Sequence, residues 1–317
     1  MRKRINCFAI WVVLLLLPLL GLADTLEVTF IDVGQGDAAL IQCGGHAMLV
    51  DAGTNRGTNA LLDFLEGRGI EVLDYVIGTH PHEDHIGGLD AVIATLEVKT
   101  IWMPYAQNGT RTFEDVLLAI QEKDLRVIVP EVGKSIALGD ATLTVLGPIN
   151  GTYSDLNNHS MVIRVDHGAN SFLFTGDAEA LSEREMLLAG TNLAATVLKV
   201  GHHGSSTSST REFLHAVQPQ YAVISCGADN TYGHPHGETL EKLQEVGAEI
   251  LRTDESGSIV VISDRTTLSI QHKSNRLVEA EETVYIGNKN SKTLHLHNGH
   301  SLSAEHNGAC FDAGMRP

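Results

Sequence analysis

Seven consecutive residues, Thr79-His80-Pro81-His82-Glu83-Asp84-His85, carry three histidines and two carboxylates. Imidazole and carboxylate together suit zinc, manganese or iron, and the absence of thiolate points away from a structural zinc. Alternate side chains of an extended segment share a side, so His80 and His82 can grip one ion. Asp84 and His85 follow within reach of a second. A solvated polar loop could have the same composition, so the reading depends on whether further ligands exist to complete the coordination.

Candidates for those ligands sit where other apolar runs end. Phe174-Thr175-Gly176-Asp177 closes on a carboxylate that could bridge two ions, although Gly-Asp after a strand is by itself an ordinary turn. Lys199-Val200-Gly201-His202-His203-Gly204-Ser205 ends in paired histidines, and Asn157-Asn158-His159-Ser160 offers His159. His234 and His236, in Tyr232-Gly233-His234-Pro235-His236, are candidates for substrate or proton handling. Two ions about 3.5–4 Å apart lower the pKa of a bridging water and clamp the attacked group. The hydroxide would attack phosphorus or a carbonyl carbon. Asp84 would orient it or take its proton, and His234 or His236 would protonate the leaving group.

The elements that must position these residues follow from hydrophobic periodicity. Strands are expected at 26–31, 38–41, 47–50 and 73–78, the last delivering the histidine loop. Further strands fall at 100–103, 126–129, 141–146, 161–165, 171–175, 196–200, 221–225 and 259–262, the last closing the domain. Helices are expected at 58–66, 86–96, 112–123, 181–189, 210–217 and 237–246. Asp32-Val33-Gly34-Gln35-Gly36-Asp37 reads as a tight loop, and Asp51-Ala52-Gly53 ends a strand. The order repeats, giving two similar halves, each a sheet covered by helices on one face: an α/β fold in four layers, αββα.

Composition bounds the rest. At 317 residues and 43% hydrophobic, the chain can bury a large core. Arg2, Lys3 and Arg4 precede an apolar run from Ile5 to Leu20, and Gly21-Leu22-Ala23 is a small-x-small site, so 1–23 reads as a signal peptide. The alternative, a retained anchor, needs a longer span than this run of about 16 residues. No other segment is long and apolar enough to cross a bilayer, so a secreted or extracytoplasmic protein is expected. Without those three cations the formal charge of -17 becomes -20. That excludes an extended basic surface for nucleic acid, so any phosphate binding must come from a local cationic centre such as bound metal. Cys7, Cys43, Cys226 and Cys310 are isolated, with Cys7 in the signal; they make no disulfide framework, and one disulfide would leave a thiol over.

Several of these motifs carry a family resemblance. The HPHEDHIGG stretch, Asp51–Gly53, Thr175–Asp177 and His202–Ser205 resemble the metallo-β-lactamase fold hydrolases. FIDVGQGDAALI, NNHSMVIRV, FLFTGDAE, LKVGHHGS and YGHPH, in that order, are similar to the hydrolase domain of ComEC-type DNA-uptake competence proteins and their free-standing relatives. The resemblance covers residues 26–264. It implies two divalent ions, Zn or Mn, at the shared edge of the sheets. His80 and His82 would bind the first, Asp84 and His85 the second, with Asp177 bridging and one of His202 and His203 completing the second site. The third ligand of the first ion would be His159, Asn157 or Asn158. Asp51, together with Asp32 and Asp37, would stand behind the ligands and orient them.

The hydrolase domain is expected over 24–266 and a charged linker over 267–282. In the 283–317 tail, Tyr285–Lys292, His295 and Ser301-Leu302 resemble a small zinc module found in alkylation-response DNA-repair regulators. That module's ligands are mainly cysteines, whereas Gly299 stands at its first cysteine position and Cys310 has no CxxC partner. His295, His297 and His300 could bind metal only loosely, so the tail reads as a degenerate copy. The leading expectation is a secreted dinuclear phosphodiesterase or nuclease acting on small phosphoesters or oligonucleotides. Hydrolysis of a lactone, thioester or β-lactam, and a non-enzymatic extracellular binding protein with a vestigial site, are the alternatives.

Overall fold

A computed structural model describes residues 24–228 and 230–273. Residues 1–23, expected as a signal peptide, residue 229, residues 274–282 of the expected linker and the 283–317 tail lie outside the described residues. The order of elements is the αββα sandwich expected from the repeat. One sheet has eight strands, in the order Leu268–Lys273, Ser258–Ser263, Leu26–Phe30, Ala39–Cys43, His46–Val50, Tyr75–Ile77, Ile101–Trp102, Val127–Ile128. The other has seven: Glu249–Arg252, Tyr221–Ile224, Val197–Lys199, Asn170–Phe174, Val162–His167, Ala141–Gly147, Ser135–Leu138.

Both sheets change character midway. The first is antiparallel as far as His46–Val50 and parallel from there to Val127–Ile128. The second is antiparallel as far as Asn170–Phe174 and parallel from there to Glu249–Arg252. Parallel strands send their C-terminal ends to one edge, where ligand-binding loops of α/β sheets collect. Asp51, the histidine loop, Asp177 and the paired histidines all follow such ends directly.

Strands buried on both faces read as near-continuous apolar runs, and these do. Val28, Phe30, Ile41, Met48 and Val50 face the inter-sheet core, while Leu40 and Leu49 between them face the helices. Across the sandwich, Phe172 and Phe174 face inward and Leu173 outward. Phe30 stacks on Phe174 with centroids 5.8 Å apart, joining the two sheets beneath the site. Arg111–Glu122 docks Phe113, Val116, Ala119 and Ile120 from one stripe, and its Thr110 cap accepts from the Phe113 amide at 3.4 Å.

Two expectations need correction, one strand was missed, and one open possibility narrows. The sheet does not close at residue 262: Leu268–Lys273 pairs antiparallel with Ser258–Ser263, so the segment expected as linker begins as an edge strand. Ser135–Leu138, which pairs with Ala141–Gly147, was not expected at all. The single helix at 86–96 is two, Glu83–Ile86 and Leu89–Thr95, parted at Gly87-Gly88. A Cβ on Gly87 would lie 2.3 Å from the Asn55 amide, so only glycine lets these loops touch. Finally, Cys43 and Cys226 are both free and buried, in different core layers, which rules out a bond between them.

Candidate metal centre

The centre is built from four strand ends. Asp51 leaves His46–Val50 in a left-handed conformation, φ 59°. Its carboxylate accepts from the Thr79 amide and hydroxyl, both at 2.7 Å, and faces His85 Nδ1 at 2.9 Å. That bond places the Nδ1 proton, so His85 presents Nε2 to Asp177 Oδ1 at 3.1 Å. His80 Nδ1 lies 3.3 Å from both the Thr79 and Ser160 hydroxyls. The Thr79 hydroxyl already donates to Asp51, so it can only accept from His80. His80 Nε2 is thereby turned toward His82 Nδ1, 3.0 Å away, and Asp177 Oδ2, 3.8 Å away.

Asp177 sits between two groups of nitrogens. Its Oδ1 faces His85 and His203, and its Oδ2 faces His80 and His202. The Asp177 amide donates to the Ser160 hydroxyl at 2.9 Å, fixing the turn. His202 and His203 both adopt left-handed backbone, φ 50° and 53°, which non-glycine residues rarely do. The consequence is that the neighbouring rings diverge. His203 turns Nε2 to Asp84 Oδ2 at 3.3 Å and Nδ1 to the Ser225 carbonyl at 3.0 Å. His202 instead has Nε2 3.6 Å from Asp177 Oδ2 and Nδ1 3.1 Å from Thr207 Oγ1.

Asp84, His85, Asp177 and His203 each offer one ligand atom, all within 4.8 Å of one another. His85 Nε2, His203 Nε2 and Asp177 Oδ1 are buried and lack hydrogen-bond partners. Buried polar atoms are normally satisfied, and orphaned atoms converging on one point call for a cation. The residues therefore fit a divalent ion there. At the first position His80, His82 and Asp177 Oδ2 are in place, and the third nitrogen facing that oxygen is His202 Nε2 at 3.6 Å, not one of the residues expected there. His159 Nε2 faces the Tyr153 amide and carbonyl, at 3.1 and 3.2 Å. The Asn158 side-chain oxygen accepts from the Ser182 amide at 3.1 Å, whereas Asn157 Oδ1 is buried without a partner. The amide nitrogens of both asparagines face Glu179, which also lies 3.4 Å from His202 Nδ1.

The electrostatics match a cation-binding site. Burial alone would raise Asp177; the His85 and His203 charges hold it well below the usual carboxylate range. Burial likewise opposes the charge on His203, but Asp177 and Asp37 push it up to about 10. His85 is raised by Asp177 and Asp51 against the same burial. The carboxylates thus favour positive charge at this point, a role that a divalent ion would take, with the histidine nitrogens deprotonated to bind it. Burial and the charges of His203 and His202 lower His234 to about 4, so its ring is neutral.

The YGHPH loop separates its two histidines. His234 lies 5.5 Å from the His202 ring and 6.2 Å from the His203 ring, with Nδ1 buried and unpartnered. His236 commits Nδ1 to the Ser206 amide at 3.0 Å and Nε2 to the Tyr232 carbonyl at 3.3 Å, and so holds the loop. Asp37 faces His203 Nδ1 at 3.1 Å, whereas Asp32 accepts from the Gly34 amide at 3.1 Å within its own loop. Thr79, Ser160, Glu179 and Lys199 went unnoticed in the sequence. Ser160, Glu179 and Lys199 lie inside motifs that the resemblance had marked, and Thr79 directly precedes one, but nothing in their type or spacing announced a contact.

The chain belongs to the metallo-β-lactamase superfamily of metal-dependent hydrolases, whose sequence pattern matches residues 31–228. Among curated proteins it is similar to ComE operon protein 3 of Bacillus subtilis (strain 168), 34% identical over 74% of this chain and 32% of that protein. Recombination protein 2 of Haemophilus influenzae is 33% identical over 78% of this chain and 30% of its own length. Competence protein ComA of Neisseria gonorrhoeae is 32% identical over 73% and 31%. The chain spans about a third of the length of these relatives. The metallo-β-lactamase fold protein YhfI from Bacillus subtilis shares the fold, with TM-score 0.52 and 17% identity over 76% of this chain and all of that one.

Proposed function

We propose that the protein is an extracytoplasmic phosphodiesterase that holds two divalent ions, Zn or Mn, and cleaves small phosphoesters or oligonucleotides. The observation that carries this reading is the position of Asp177, whose two oxygens face opposite sets of histidine nitrogens inside a buried cluster of unsatisfied ligand atoms. Bound there, such ions supply an activated water and positive charge for a phosphoryl group.

The chain's own residues account for the rest. Burial alone would raise Asp84, but His203, 3.3 Å away, and the His85 charge keep it ionised well below the usual range. Its side chain is 26% exposed, so the carboxylate can align an attacking water and accept its proton. Neutral His234 can donate one hydrogen bond to a phosphoryl oxygen without adding charge. Tyr232, stacked on His234 at 5.6 Å, extends an exposed aromatic face from the mouth of the site that suits a nucleobase. Relatives named for competence and recombination support a phosphodiester substrate. The charged and apolar runs of residues 2–20 support an extracytoplasmic place, and no helix of the described residues is long and apolar enough to cross a membrane.

The test is turnover of bis-p-nitrophenyl phosphate, a short oligonucleotide and nitrocefin under Zn²⁺ and Mn²⁺. Phosphodiester cleavage without nitrocefin cleavage is expected. Nitrocefin cleavage alone would reject the substrate class, and inactivity on all three with less than one ion per chain would reject the enzyme.

A further inference from the structure

One buried cation stands behind the ligands and belongs to neither set. Lys199, the last residue of Val197–Lys199, is 3% exposed. Its ammonium lies 2.7 Å from Asp37 Oδ2 and donates to the Val200 carbonyl at 2.9 Å. Asp37 is also buried and belongs to the other sheet's loop, so the pair bridges the sandwich. The second oxygen of Asp37 lies 3.1 Å from His203 Nδ1.

Removing two charges from water is costly, and a buried pair is poor evidence for stability in itself. The placement of this pair has a more specific consequence. His203 follows a left-handed His202 and is itself left-handed, a conformation that persists only where surrounding contacts fix it. Its Nδ1 is hydrogen-bonded to the Ser225 carbonyl at 3.0 Å, and the Asp37 carboxylate lies beside that nitrogen at 3.1 Å. His85 has the equivalent carboxylate in Asp51, which is held by the Thr79 amide and hydroxyl. Among the described residues no amide or hydroxyl donates to the Asp37 carboxylate; the donor on its Oδ2 is Lys199.

We infer that Lys199 is a positioning residue for the second ion: it aims the Asp37 carboxylate at His203 Nδ1, so that His203 Nε2 is presented to the ion shared with Asp84, His85 and Asp177. The two halves of the molecule then use one arrangement with different parts, Thr79–Asp51–His85 in the first and Lys199–Asp37–His203 across the two sheets. The inference rests on the dinuclear reading proposed above.

Titration with Zn²⁺ by calorimetry, and with Mn²⁺ by electron paramagnetic resonance, tests it. In the wild type two uptake steps are expected. Lys199→Met should weaken the step of the Asp84–His85–Asp177–His203 site by about 10- to 100-fold, leaving the His80–His82 step within about threefold. Lys199→Met combined with Asp37→Asn should bind that ion no more weakly than Asp37→Asn alone, because the lysine acts through the aspartate. A folded Lys199→Met protein with both affinities intact would overturn the inference, as would equal loss at both sites, the mark of a merely structural pair. Should Lys199→Met fail to fold, Asp37→Asn keeps an acceptor for the lysine, and unchanged second-site affinity there is equally fatal. Failure of the wild type to take up two ions would instead overturn the dinuclear reading itself.

Discussion

Asp84 is the residue at which ligand chemistry and proton chemistry meet. It is the most exposed of the four clustered ligands, and its carboxylate stays ionised against burial because His203 and His85 face it. Asp84→Asn keeps the volume and removes the charge. We expect phosphodiester turnover to fall more than about a hundredfold, beyond the loss typical of a residue that only supports a ligand. Circular dichroism should be unchanged and the melting temperature should stay within a few degrees. His80→Ala should abolish turnover equally but cost stability too, since its ring is wholly buried. Full activity in either variant would end the dinuclear model. The ligand types were legible in the sequence because a metal demands them: no other use of HPHEDH explains so many donors in so few residues. The choice between His202 and His203 was not legible, because it is made by two left-handed backbone angles. Nor were Ser160 and Lys199, whose roles depend on residues 80 and 162 positions away in the chain.

Elements place these side chains, and the loops between them are where a small change should matter most. Gly36 has φ 136°, and a Cβ there would lie 2.4 Å from the Asp84 carbonyl, which also accepts from the Asp37 amide at 3.0 Å. Gly36→Ala therefore pushes the first sheet's loop off the metal loop. We predict at least a tenfold loss of turnover, together with destabilisation of about 1–3 kcal/mol. Gly45→Ala is the control: its φ is +79° but nothing lies within 4 Å, so it carries backbone strain of about 1–2 kcal/mol without displacing a ligand. Thermal melts and assays of both variants separate the two effects, and equal activity losses would refute the loop contact. At this scale the sequence was informative where burial is complete. Strands such as Asn170–Phe174, buried on both faces, stand out as apolar runs. Ser135–Leu138 and Leu268–Lys273 lie at sheet edges with mostly exposed or half-exposed positions, and their apolar stretches are too short to stand out. The helix expected at 86–96 broke because Gly87 and Gly88 are needed for close approach, which periodicity does not register.

The whole molecule sets the terms on which an anionic substrate arrives. A formal charge of -17 repels polyphosphates, and Lys199, the cation behind the centre, is buried against Asp37. Attraction must then be local, supplied by the bound ions, rather than spread along a basic track. The salt dependence of binding measures the difference. For single strands the slope of log K against log salt is about -0.7 per phosphate neutralised. If the centre engages one or two phosphates, binding of a short fluorescent oligonucleotide to the Asp84→Asn protein should show a slope no steeper than about -1.5. The affinity should also depend on the ions, so chelation should abolish binding while leaving the sandwich folded, since its core is apolar and independent of the site. Lengthening the oligonucleotide should add little, because each further phosphate meets an acidic surface. A slope steeper than about -3, or affinity that rises with length and survives chelation, would show a nucleic-acid track elsewhere on the molecule and remove the reason for assigning it small phosphoesters or oligonucleotides.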